Sequence, residues 1–439
     1  MARNVVLVVG AGIAGISAAN VLADAGQEVL LVDQAPQAGG NFYRQSFPEA
    51  RELPRPRRVR ERWQGAMARL QAHGDKISLR CSVRFAGVDH TGVACLSDLK
   101  GNNDHLLRPA AVIVATGATE CVRPRPGGTT PGVMTVGALQ TLLKSSGESP
   151  NGPIVLAGTG PLLMAVGAQL AKAGNPPLCI LDTARPYRRA LSGLRLPASY
   201  LLEAVDYLGT LVRAGVPIYW GAEVAGIAPG DRHHRLKISI QTRGGKRRQI
   251  GADYLGLHDG LKPNDYGVTT EPELKVWRTG DCREVLGARA AALDGERIGS
   301  QVADYLGGGK FSDRWAPDIA RHRQAQAVLH LLYPDMRPFD IAGADKTTVL
   351  CRCENRTVED LRALGQTTAK QARLLGRFAM GPCQGRFCGE TLAASLTANP
   401  DDGRSAVASP VLSSRWPIAP IRVQGIVDAE LPDPSSANE

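Results

Sequence analysis

Aromatic residues are scarce in this chain, 5% of 439 residues beside a hydrophobic fraction of 43%. That scarcity argues against a module that stacks bases on interleaved aromatics, and no recognition-helix signature accompanies the basic residues. Nucleic acid is therefore not an expected partner, in spite of a formal net charge of +10. No apolar run reaches the length of a membrane span. The opening MARNVVLVVGAGIAGISAANVLADAG has the Arg3, the apolar middle and the small residues of a signal peptide. Spaced glycines and Asp24 interrupt it, and it reads as a folded strand, turn and helix. Histidines number eight, and their one adjacent pair, His233-His234, lies in a polar loop and reads as solvated. Five of the nine cysteines, at 81, 95, 121, 179 and 282, show no pairing pattern, which excludes a disulfide-stapled scaffold and suits a reducing cytosol. These absences leave a soluble, cytoplasmic α/β protein, long enough for two or three domains with cores of their own.

Part of the positive charge is concentrated in RELPRPRRVRER (51–62). It reads as a solvated, proline-broken loop, with a docking surface for an acidic partner as the sharper alternative.

The informative residues are glycines in two settings. Val5–Val9 is a β-branched run that ends in Gly10-Ala11-Gly12-Ile13-Ala14-Gly15; an apolar stretch of helical period follows over Ile16 to Ala25, and a second strand, Glu28–Val32, delivers Asp33. The chemistry explains the spacing. Gly10 makes the tight turn, Gly12 lets backbone approach a pyrophosphate, and Gly15 lets the helix pack on the strand. The helix N-terminus faces the phosphates, and Asp33 is placed to bond ribose hydroxyls. Gly39-Gly40 comes next, and Arg44 after it is placed for a phosphate or for an exposed salt bridge. Further on, the strand Val112–Ala115 leads into Thr116-Gly117, and Thr279-Gly280-Asp281 ends a strand and opens a helix. Between them lies a second unit: strand Pro153–Leu156, turn Gly158-Thr159-Gly160, helix Leu162–Ala173, then strand Leu178–Leu181 delivering Asp182. Here Leu163 stands where a third glycine would be, so this helix must pack differently on its strand. By charge repulsion Asp182 would favour a ribose 2′-hydroxyl over a 2′-phosphate.

The remaining four cysteines cluster in CRCENRTVED and GPCQGRFCGE. Cys351-x-Cys353 is followed, 29 residues later, by Cys383-x4-Cys388. Two short helices, Val358–Leu364 and Ala369–Gly376, are expected between the pairs. So small a helix pair buries little core and needs a staple, and four thiolates supply one. The spacing leaves zinc and a [2Fe-2S] cluster open. A Cys-x-Cys opening is unusual for zinc and compatible with two irons that each take two thiolates.

Taken together, Gly39-Gly40, Thr116-Gly117 and Thr279-Gly280-Asp281 resemble those of the two-dinucleotide-domain flavoproteins related to glutathione reductase. The resemblance implies that Asp281 holds the ribityl chain of FAD, with Gly280 and Ala288 allowing close backbone approach, and that Gly158, Gly160 and Asp182 belong to an inserted NAD(P)-type domain. No CxxC or CxxxxC pair precedes residue 383, so electron transfer to a protein disulfide, as in that family's disulfide reductases, is not expected. CRCENRTVEDL…GPCQGRFC resembles the small [2Fe-2S] domain of the bacterioferritin-associated ferredoxin type. More narrowly, it resembles the version that follows two dinucleotide domains in the α subunits of bacterial heteromeric amino-acid dehydrogenases: hydrogen cyanide synthase, opine (octopine and nopaline) oxidases, and hydroxyproline or proline dehydrogenases. The tail SSRWPIAPIRV (413–423) is similar to their closing segment. The likeness covers nearly the whole chain.

The expected architecture is α/β, with two Rossmann-like dinucleotide-binding domains and a small helical [2Fe-2S] domain. An FAD-binding domain is split over 1–150 and 251–310, an NAD(P)-type domain is inserted at 151–250, the [2Fe-2S] domain occupies 345–395, and an extended tail, 396–439, packs on the body or on a partner. A flavin accepts two electrons as hydride and a [2Fe-2S] cluster passes one at a time, so a chain holding both converts one currency into the other. The resemblance implies an electron-transferring α subunit whose amino acid, imino acid or opine is oxidised on the flavin of a β subunit related to glycine oxidase or D-amino-acid oxidase. It also implies an FMN between subunits in some members, a small third subunit, and a cytoplasmic location with peripheral contact to the inner membrane. The rival readings are a self-sufficient NAD(P)H-dependent reductase and a non-catalytic scaffold. NAD(H), ATP or nothing in the second domain, and FAD or another adenine nucleotide in the first, stay open. No residue is marked as catalytic, and Cys282 reads as a small buried residue beside the flavin.

Overall fold

The computed structural model describes residues 5–101, 104–242, 244–265, 275–334, 339–365, 367–396 and 416–427. The valine-rich run Val5–Val9, buried from Val6 onward, forms the centre of a five-stranded parallel sheet, as a strand covered on both faces should. Its order is Val276–Arg278, Ala111–Val114, Val5–Val9, Glu28–Asp33, Ile77–Cys81. The helices Ile13–Asp24, Arg57–Ala72 and Ala288–Gly307 cover one face through Val6, Val8, Ile16, Leu22 and Ile298. An antiparallel sheet, Val83–Val88, Ala94–Asp98 and Asp104–Leu107, covers the other through Leu7, Val9, Val83 and Phe85.

The basic stretch 51–62 departs from the loop expected of it. From Arg57 onward it is helical, up to Ala72. Pro56 sits at the N-cap, where its missing N–H costs nothing. Trp63 and Leu70, two turns apart, then anchor one face on the core while the arginines stay outside.

A second parallel sheet has the order Ile218–Trp220, Cys179–Asp182, Ile154–Gly158, Tyr254–His258, Val133–Thr135. Helices Val136–Ser146, Pro161–Lys172 and Ala198–Arg213 pack on one face, and the antiparallel strands Ala222–Pro229, Leu236–Thr242 and Arg247–Ala252 on the other. The span 151–250 is therefore too narrow for this unit, because its sheet takes a strand from outside each boundary. Strands Ala118–Glu120 and Leu261–Pro263 pair where the chain enters and leaves it. There Arg125 and Asp259, both buried, form a two-pronged ion pair at 2.6 and 2.7 Å.

Beyond Ala288–Gly307 comes a helix, Ala316–Leu332, whose Ile319 packs with Ala290, and the cysteine domain follows. Its helices, Val358–Ala363 and Ala369–Leu374, each start at a threonine cap, Thr357 and Thr368, in a reciprocal capping box. A small core of Leu350, Val358, Leu361, Phe378 and Leu392 lies beneath them. Of the tail, 397–415 and 428–439 lie outside the described residues. The rest lies on the first domain: Ile418 N–H donates to the Ala86 carbonyl at 2.9 Å, and Arg422 pairs with Asp104 at 3.2 Å. Among the described residues no helix is long and apolar enough to cross a membrane.

Candidate functional site

The first glycine turn is shaped by contacts that a side chain would break. Gly10, at φ 106°, donates its N–H to Val32 at 2.7 Å, and a Cβ on it would lie 2.4 Å from the Ala115 carbonyl oxygen. At Gly15 a Cβ would come within 1.9 Å of the Gly10 oxygen, so helix and turn touch backbone to backbone. Gly12 differs. It is the N-cap of Ile13–Asp24, at φ −75°, and the nearest atom to a Cβ there is Gly40 Cα at 3.9 Å. The protein fills the space around Gly10 and Gly15 and leaves Gly12 facing open room. Gly40 stands opposite, and Gly39 ties the two turns together with its N–H on the Ala11 carbonyl at 2.8 Å.

Asp33 accepts from the N–H groups of Ala11 at 2.7 Å and Ala35 at 2.8 Å. Burial nevertheless pushes its pKa up, against those two bonds and the charge of Arg44. Arg44 Nε makes no hydrogen bond among the described residues. Ala14 packs on the far motif, since a Cβ on Gly280 would lie 2.7 Å from the Ala14 Cβ. Thr116 bonds Cys282 Sγ at 3.2 Å and the Asn264 carbonyl, while Gly117 (φ 71°) has open space beside it. Cys282 is buried, with its thiol pKa raised by that burial.

At the second end of the site Asp281 accepts from the N–H groups of Leu286 at 3.0 Å and Gly287 at 2.9 Å. Burial raises its pKa, helped by the charge of Asp294. The expectation that Thr279-Gly280-Asp281 opens a helix needs correction. Gly280–Cys282 is a single 3-10 turn, and the long helix begins only at Ala288, after the loop that Asp281 ties down. The sequence reading also missed Asp294. This buried carboxylate accepts from Gly280 N–H at 2.8 Å, Thr279 Oγ1 at 3.2 Å and Arg283 Nε at 3.1 Å, fixing the backbone that carries Asp281. Gly295 and Gly299, four apart on the same helix, were legible as a close-packing signal. A Cβ on either would meet the Ala14 or Ala18 carbonyl oxygen, at 2.2 and 2.8 Å.

In the second unit Gly158 (φ 142°) touches the backbone of His258, whose oxygen lies 1.6 Å from a Cβ position, and Gly160 (φ 107°) has nothing within 4 Å. Leu163, in the place of a third glycine, is wholly buried in the domain core. Close helix packing has moved one turn along, to Gly167, where a Cβ would meet Ile180 Cδ1 at 2.8 Å. Asp182 is fully buried, accepts from Ala184 N–H at 2.8 Å, and is pushed up to about 7 by burial. Burial of Tyr333, at the end of the Ala316–Leu332 helix, raises its pKa, and the charge of Asp182 adds to the effect. Asp182 thus lies beneath protein.

The four clustered cysteines form no disulfide. They associate as two pairs, Cys351 with Cys388 and Cys353 with Cys383. Cys351 is pushed down to about 6 by the Cys388 hydrogen bond and by N–H groups of Ala379, Glu354 and Cys353, while Cys388 is raised correspondingly. Ala379 and Gln384 hold left-handed backbone, φ 59° and 47°, and a Cβ on Gly381 would lie 2.2 Å from Cys353 Cβ. Among the described residues no three ligand-type side chains converge on one ion.

One cavity, about 510 Å³, joins these parts. Asp281 and Gly287 line it from the first domain, Thr159 and Gly160 from the second, Tyr333 from the segment between, and Arg386 and Phe387 from the loop between Cys383 and Cys388.

Known proteins resemble this chain along most of its length. Residues 4–283 match the family described as pyridine nucleotide-disulphide oxidoreductase. The chain is 33% identical to an opine oxidase subunit of Rhizobium meliloti (strain 1021), covering 96% of this chain and 98% of that protein. It is 29% identical to hydrogen cyanide synthase subunit HcnB of Pseudomonas aeruginosa, over 87% of this chain and 90% of that one. L-proline dehydrogenase from P. horikoshii superposes with a TM-score of 0.64 at 14% identity, covering 97% of this chain and 80% of that one, a likeness of fold.

Proposed function

Because the chain belongs to the pyridine nucleotide-disulphide oxidoreductase family, and within it to the homologues of that opine oxidase subunit, we propose that it is the electron-transferring member of a heteromeric amino-acid dehydrogenase. It is an oxidoreductase subunit, of a class acting on CH–NH or CH–NH2 donors. The substrate, an opine, imino acid or glycine, is oxidised on a flavin of a glycine-oxidase-like partner subunit, and this chain takes the electrons onward. The observation that carries this reading is the shared cavity, which has the Asp281 end of the first nucleotide site on one wall and the Cys383–Cys388 loop on another.

The residues fit the groups the reading needs. FAD would lie over the open face of Gly12 and Gly40, its phosphates toward the start of the Ile13–Asp24 helix, its adenosine ribose at Asp33 and its ribityl chain at Asp281. Gly39, Thr116, Gly117, Gly280 and Ala288 would supply close backbone, and Arg44 a charge beside the phosphates. Two pairs of thiols match a [2Fe-2S] cluster, in which each iron takes two thiolates. The flavin would supply hydride chemistry and the cluster one-electron steps. The second unit would hold an adenine nucleotide at Gly158 and Gly160 as a structural ligand, with Asp182 closed off.

The test uses the purified chain with and without its partner. Alone, it should carry iron and flavin yet reduce dye negligibly with glycine, proline, hydroxyproline or opines, because a substrate Cα must be held within about 3–3.5 Å of a flavin by a dedicated pocket. Co-expression with the partner should restore turnover, and Cys353→Ser should abolish cluster absorbance while the two nucleotide domains stay folded. Robust amino-acid turnover by the isolated chain, bleaching of its flavin by NADH, or stoichiometric zinc without iron would each overturn the reading.

A further inference from the structure

The cavity has walls from separate domains, so something must hold them in register. Lys262 lies on the short strand Leu261–Pro263, paired in register with Thr119, and its side chain is only 13% exposed. Its Nζ reaches Glu390, in the first turn of Gly389–Leu396, at 3.2 Å. The Cys121 thiol also contacts the Glu390 carboxylate, at 4.0 Å. The opposite edge of the cysteine loop is tied by Gln384, whose Nε2 donates to the Pro417 carbonyl at 2.9 Å on the tail that Ile418 and Arg422 fasten to the first domain. Between these fastenings Arg386 and Phe387 face the cavity.

We infer that Lys262 and Glu390 are a positioning pair that docks the cysteine domain over this cavity, opposite Asp281, so that its cluster works with this chain's own flavin. The inference rests on the flavin and cluster reading above. A tethered domain would need no cationic side chain sunk into the cavity wall and aimed at its first helical turn. Lys262 is fixed by the strand pair that joins the first and second domains, so its ammonium marks one place for Glu390. Glu390 is 64% exposed, so solvent screens the pair and its effect is a shift in the docked population. Each transfer the pair favours would pass one electron, with the flavin as donor and the cluster as acceptor.

The test compares the loaded wild-type protein with Lys262→Glu, Glu390→Lys and the combined swap. Each single variant should raise amide hydrogen exchange over residues 386–396 by about three- to fivefold. Each should also slow flavin-to-cluster transfer by a similar factor, read from cluster absorbance after photoreduction of the flavin. Iron and flavin contents should not change, and the swap should restore both readouts. Unchanged exchange in the single variants, or no recovery in the swap, would overturn the pair. The exchange measurement needs neither cofactor. Wild-type protein lacking iron or flavin would therefore defeat the functional reading, while the swap would still decide the docking.

Discussion

The chain contains the same strand–turn–helix twice, and the two copies have been used in opposite ways. At the first, protein backbone occupies every position where a side chain would collide, at Gly10 and Gly15, and withdraws from Gly12. At the second, the collision at Gly158 is kept, but Leu163 fills the third position and the acidic residue is sealed in. Asp33 is only partly buried and holds two backbone donors. Asp182 is fully buried. A glycine turn therefore specifies a backbone path, and the residues that follow it decide whether its acidic partner stays within reach of a ligand.

The largest effects should come from separating the glycines of the first turn. Gly15→Val drives carbon into the Gly10 carbonyl and should leave no folded flavoprotein, seen as insoluble expression. At Gly12 a Cβ meets only Gly40 Cα, at an ordinary contact distance of 3.9 Å, so the Gly12→Val apoprotein should melt close to the wild-type apoprotein while bound flavin is lost on gel filtration. Equal damage from both would show that Gly12 is structural as well. Next in size is Leu163→Gly. Restoring the third glycine removes a buried leucine side chain, and the cost should be about 3–5 kcal/mol in chemical denaturation, with no gain in nucleotide affinity. A neutral variant would mean the two turns are interchangeable.

The smallest effect is a pH slope. Asp182 is raised from 3.8 to about 7, so the folded protein keeps a proton that the unfolded chain releases. Stability contributed at this site is present below the unfolded pKa and is lost as pH rises through the folded one. Asp182→Asn should flatten the fall in melting temperature between about pH 4 and pH 7 and leave the variant the more stable above it. An unchanged slope would place the carboxylate in contact with solvent.

Much of this was legible in residues that act locally. The spacing Gly10, Gly12, Gly15 and Asp33 is dictated by one turn and one helix, and the two cysteine pairs by two tight loops, so neighbours in sequence carry the pattern. What escaped depends on distant partners. Val133–Thr135 is only three residues long, and nothing in it says that it will join Tyr254–His258. The 57–72 stretch concealed its helix because arginines outnumber the two anchors, Trp63 and Leu70. Asp294 was invisible because its four hydrogen bonds come from residues 11–15 positions back, across a loop whose shape only the fold determines. The cavity, built from four parts of the chain, has no sequence signature.

The contact between Ile13–Asp24 and Ala288–Gly307 also has a bearing on synthesis. When residue 258 has left the ribosome, every strand of the second sheet exists, and that unit can close. The first sheet cannot. Its strand Ala111–Val114, fully buried in the finished protein, stays an open edge until Val276–Arg278 arrives, and the helix bearing Gly295 and Gly299 comes later still. Of the two dinucleotide units, the one begun first is completed second. A nascent chain stalled anywhere between these points would expose a bare valine-rich edge while carrying an intact glycine motif, so translational pausing in that interval is where this protein is most exposed to aggregation.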